Sequence, residues 1–75
     1  MSTAAHPFGG ERVRVQAAIL RALSIGRVPT YRTVRVCAVA AQVTEERARG
    51  ILVELEELGR VVQSPSDDNL WRRAK

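Results

Sequence analysis

The spacing of the apolar residues changes once along this chain, at Gly59, and that change limits what it can fold into. Up to Leu58 the apolar positions recur three or four residues apart. Beyond Gly59 they form two short clusters, Val61-Val62 and Leu70-Trp71, separated by the polar run Ser64-Pro65-Ser66-Asp67-Asp68-Asn69. The first spacing places side chains on one side of a helix. The second is that of two strands joined by a turn. Helices followed by a β-hairpin, a mostly α form of the α+β class, are therefore expected.

Two breaks divide the helical part into three. The first helix is expected from Glu11 to about Ile25, with Val15, Ala18, Ile19, Ala22 and Leu23 on its apolar face and Gly26 as its stop. Pro29 cannot continue a helix and biases Val28 toward extended geometry, so residues 27–30 predict an extended link or short edge strand. Thr30 or Thr33 caps a second helix running to about Ala41, with Val34, Cys37, Ala38 and Ala41 buried. Its Val and Thr content makes it weak alone and dependent on packing. After Gln42-Val43, Thr44 opens a third helix, with Glu45 and Glu46 in the first turn, where negative charge is favoured. Ala48, Ile51, Leu52, Leu55 and Leu58 form its apolar stripe, and Gly59 ends it. Residues 1–10, rich in small residues and including Pro7, Gly9 and Gly10, read as a loose tail before a single domain at 11–75.

With 75 residues there is room for one domain and only a thin core, which a second copy or a partner would help to stabilise. No apolar run is long enough to span a membrane, and the first residues lack the pattern of a secretory signal. Cys37 is the single cysteine and His6 the single histidine, so neither an internal disulfide nor an ordinary zinc site is expected. Cys37 reads as a small buried hydrophobe, with no basic neighbour evident in sequence. These features together predict a cytoplasmic protein without cofactor or metal. A catalytic set is also missing: one His cannot complete a Ser–His–Asp arrangement, there is no Gly-rich phosphate loop, and neighbouring helical Glu56 and Glu57 do not converge. An enzyme is not expected.

Eleven Arg and one Lys give a net charge of +4. Residues 1–35 carry six Arg and Glu11, a balance of +5; residues 36–59 carry two Arg and five Glu, −3; residues 60–75 carry four basic residues and two Asp, +2. The ends are basic and the middle is acidic. Anionic partners are admitted by such a balance, although charge alone does not choose one.

Several positions carry a likeness to a known family. Cys37-Ala38 matches an apolar residue followed by Ala in a second helix. Val43-Thr44 matches the apolar residue and cap that open a third, and Ala48 and Leu52 match its buried positions. Leu55-Glu56-Glu57-Leu58-Gly59-Arg60-Val61 matches the end of that helix and the start of a wing strand. Over residues 11–74 the chain resembles the winged helix-turn-helix DNA-binding superfamily, in which three helices precede a two- or three-stranded antiparallel wing. It departs at Gln42, where the family commonly has Gly; Gln fits that turn only in right-handed geometry or with strain.

What the resemblance implies is a small sequence-specific binder of double-stranded DNA, a transcriptional regulator or architectural factor similar to those of phages and plasmids. The helix at 44–58 would enter the major groove and the wing at 60–74 would touch the backbone or minor groove. Arg32, Arg35, Arg72, Arg73 and Lys75 would hold phosphates; Thr44, Glu46, Arg47, Arg49 and Gly50 would line the reading helix. Two modules per site are expected, as a homodimer built on the start of the first helix or the hairpin, or as several copies. A different class of function is open to the same scaffold. With Glu46, Gly50, Val53 and Glu57 facing outward, the acidic third helix could dock on a protein partner instead.

Overall fold

The computed structural model describes residues 10–74. The tail assigned to residues 1–9, with His6, and Lys75 at the other end lie outside them. The order is helix α1 (Gly10–Leu23), strand β1 (Arg32–Thr33), helix α2 (Val34–Ala41), helix α3 (Glu45–Glu57), strand β2 (Val61–Gln63) and strand β3 (Leu70–Arg73). The three strands form one antiparallel sheet in the order β1-β3-β2. The three helices and the β2-β3 hairpin are what the apolar spacing predicts, and β1 adds a third strand to the sheet.

Each helix buries the expected face: Val15, Ala18, Ile19, Ala22 and Leu23 from α1, Val34, Cys37, Ala38 and Ala41 from α2, and Ala48, Ile51, Leu52 and Leu55 from α3. Val61 and Trp71 join them, and Trp71 is the largest fully buried side chain. The spacing of apolar residues did not single out Trp71, because one aromatic in a four-residue strand has no periodicity to announce it.

Thr33 is the cap of α2 and Thr44 that of α3; their side chains accept from the amides of Val36 and Arg47 at 3.2 and 3.1 Å. Between α2 and α3, Gln42 stands in the left-handed region at φ 60°, ψ 45°. The strained alternative is therefore the one adopted. It persists because the turn closes two bonds, Gln42 N to Val39 O at 3.2 Å and Val43 N to Ala38 O at 3.0 Å, which satisfy the carbonyls at the end of α2. Gly59, at φ 76°, closes α3 in the same way, with Arg60 N donating to Leu55 O at 2.8 Å.

Three boundaries differ from expectation. Helix α1 stops at Leu23, two residues before Ile25, where Ser24 Oγ donates to Leu20 O at 2.6 Å and competes with the next helical bond. The edge strand lies at 32–33, not 27–30, because β3 offers its pairing row there. Leu58 does not complete the stripe of α3. It is the cap residue and is 65% exposed, and the turn through Gly59 brings Val61 to the core in its place. Among the described residues no helix is long and apolar enough to cross a membrane.

Candidate nucleic-acid interface

Helix α3 defines the surface. With Ala48, Ile51, Leu52 and Leu55 buried, a turn of about 100° per residue leaves Glu46, Gly50, Val53 and Glu57 outward. Thr44, Glu46, Arg47 and Gly50 line a shallow hollow of about 360 Å³ at the start of the helix. Among the described residues nothing lies within 4 Å of where a Cβ of Gly50 would stand, so no packing among them calls for glycine there.

The two flanks of α3 belong to different neighbours. On one side Arg47 Nη2 lies 2.9 Å from Glu11 Oε1, and Glu54 Oε2 lies 2.9 Å from Arg12 Nη2; these pairs tie α3 to the start of α1. On the other, Arg49 Nη1 reaches the Asp68 carbonyl at 3.4 Å, against the hairpin turn. That turn holds itself together. Gln63 Nε2 also donates to Asp68 O at 2.9 Å, and the Asn69 amide to Asp67 Oδ1 at 2.9 Å. Arg47 and Arg49 are thus on opposite sides of the outward face, and each has an intramolecular partner.

The sheet register sorts the remaining arginines. Arg32 lies opposite Trp71, Val62 opposite Arg72, and Val61 opposite Arg73. Opposed residues share a face and neighbours along a strand alternate. Arg32 and Arg73 therefore stand on the helix-facing side with Trp71 and Val61. The Nε atoms of both are buried without a hydrogen-bond partner among the described residues, and Arg32 Nη2 is directed to the Ile25 carbonyl at 3.3 Å. Arg72 stands on the other side, its guanidinium carbon 5.5 Å from the centre of the Tyr31 ring. The adjacent Arg72 and Arg73, both expected to hold phosphates, point in opposite directions. Arg35, in the first turn of α2, is exposed and makes no ion pair among the described residues.

The structure therefore brings Thr44, Glu46, Arg47 and Gly50 together, sets Arg49 beside the hairpin, and leaves Arg32 and Arg73 on the inner side of the sheet. No family model, curated protein or solved structure matches the chain.

Cys37 is fully buried, as expected of a small hydrophobe. Burial pushes its thiol up to about 11, although Arg32, a basic neighbour that the sequence did not reveal, acts in the opposite direction. Desolvation prevails, so the thiol stays protonated and unreactive near neutral pH.

Proposed function

We propose that this chain is a winged helix-turn-helix module that binds double-stranded DNA through the outward face of α3, in the cytoplasm and without catalysis. The observation that carries it is Gly50. A glycine inside a helix costs about 1 kcal/mol relative to alanine, and nothing among the described residues requires it. Its position at the centre of the outward face supports a close approach by another molecule's backbone or base edges. The order α1–β1–α2–α3–β2–β3, the tight turn between α2 and α3, and the hairpin held against α3 by Arg49 support the same reading. Arg35 and Arg72 are the side chains suited to phosphates, Arg49 and Arg47 those suited to base edges or phosphates at the rim. Glu46 would accept from a cytosine amino group or else oppose binding.

A second reading has its own observation. Glu46, Val53 and Glu57 make the outward face acidic with an exposed aliphatic centre, and the hairpin turn adds Asp67 and Asp68. A docking module that presents α3 to a basic or apolar groove accounts for those charges. Titration into labelled duplex at two salt concentrations separates the two. DNA binding requires an affinity that falls with salt, with a slope of about −0.9 per phosphate neutralised. Glu46→Gln removes a repulsion and should strengthen binding to random duplex. If no duplex pool shows salt-sensitive binding, the DNA reading fails and docking replaces it.

A further inference from the structure

From Arg12 to Thr44 the chain contains no Asp or Glu, and six of its residues are Arg. This stretch carries an open apolar groove of about 450 Å³ between the end of α1 and the outer side of α2. Ala22, Ile25, Val36 and Val39 line it, and Arg35 stands at its rim. A second hollow shares Ala22, Ile25 and Ala40 with it and extends to Arg21. Ile25, Val36 and Val39 are 64%, 44% and 70% exposed. Contiguous aliphatic exposure of this kind marks a surface that another molecule covers.

The rim decides what can cover it. A two-fold contact through the groove would set Arg21 and Arg35 of both copies against each other with no acid between them. The groove suits an apolar group carried on an acidic ridge, and this chain has one. Leu58 is 65% exposed at the end of α3, among Glu54, Glu56 and Glu57. Glu54 already holds Arg12; Glu56 and Glu57 are exposed and make no ion pair among the described residues.

We propose that copies of this chain associate head to tail, Leu58 and the acidic end of α3 of one copy entering the Ile25–Val36–Val39 groove of the next. Knob and groove are different surfaces of one molecule, so the contact repeats and builds an open chain or a ring in place of a two-fold dimer. Leu58 lies about 18 Å along the helix from Glu46. The contact therefore leaves the start of α3 uncovered, but it takes up Arg35, one of the side chains suited to phosphates, so association is measured in the absence of DNA.

Sedimentation velocity of the full chain without DNA, from ~10 µM to ~1 mM, tests it in the range of weak specific contacts. The average mass should climb past that of a dimer with concentration and fall back when salt is added. Val39→Glu and Leu58→Lys alter exposed positions, and circular dichroism confirms that each still folds. Each alone should remain monomeric. Their equimolar mixture should form a dimer and grow no further, because the Val39→Glu copy keeps its knob and the Leu58→Lys copy keeps its groove. Arg35→Glu, at an exposed polar position, should lose association without touching the aliphatic lining. A wild-type chain that stays monomeric throughout overturns the proposal. So does a Val39→Glu variant that still dimerises alone, or a mixture no heavier than its components.

Discussion

Replacing Gly50 with alanine should make the protein more stable and a poorer DNA binder. Gly50 lies in the sixth position of α3, a helix interior, with open space where the methyl group would go. No clash offsets the gain in helix propensity, which is about 1 kcal/mol. For a domain of this size that corresponds to a rise of about 4–8 °C in melting temperature. The same methyl group would stand on the face proposed to meet DNA, where close approach leaves no room for it. Thermal melts by circular dichroism give the first quantity and duplex titration at fixed salt the second. A variant that melts higher and binds duplex as tightly as its parent would refute the functional part, since the glycine would then serve no contact. A variant that melts no higher would refute the structural part, because it would place position 50 outside an open helix face.

Three further outcomes are expected. Gln42→Gly relieves left-handed strain of about 1–2 kcal/mol against an entropic cost of about 0.4–1, so chemical denaturation should show a modest gain, and a loss would mean that the turn is not left-handed at Gln42. Leu52→Ala empties a fully buried site at a cost of about 2–5 kcal/mol; a urea midpoint unchanged from the parent would contradict the core. The Cys37 thiol titrates at about 11 in the folded chain against 9.0 for an ordinary thiol. Its contribution is therefore whole below pH 9 and is lost as pH rises through 11, because the unfolded chain ionises first. The stability difference between wild type and Cys37→Ala should be flat from pH 7 to about 9 and shift against the wild type above that. A flat difference across the whole range would rule out the burial of the thiol.

Periodicity made the helices legible, and it did so because burial selects one face in each: every residue expected on the inner faces of α1 and α2 is buried, and only Leu58 of α3 is not. The caps were legible for a local reason, the hydroxyl of Thr33 or Thr44 reaching an amide three residues on. The arginines were not. Whether Arg32 or Arg73 faces the core depends on the strand that pairs with it, and the Arg32–Trp71 pairing joins positions far apart in the chain. Nothing local encodes it. The partners of Arg47 and Arg12 escape for the same reason, since they depend on how α1 crosses α3.

That crossing changes what the net charge means. Arg12 and Arg47 pair with Glu54 and Glu11 across the α1–α3 contact, and Arg14 Nη1 caps the end of α2 through the Ala41 carbonyl at 3.0 Å. Arg32 is directed to Ile25 O. With Arg49, which reaches the Asp68 carbonyl, five of the eleven arginines thus join one helix or loop to another, and the two ion pairs among them add nothing to the excess of +4. Exposed pairs such as Arg47–Glu11 hold by about 0–1 kcal/mol, less than a charge-assisted contact to a phosphate contributes. Arg47 could therefore exchange Glu11 for DNA at small cost, whereas Arg32, with its Nε buried, would have to leave the inner face of the sheet. On the proposed interface the arginines open to a polyanion are Arg35, Arg47, Arg49 and Arg72, and Glu46 among them is the acid that would oppose bulk attraction.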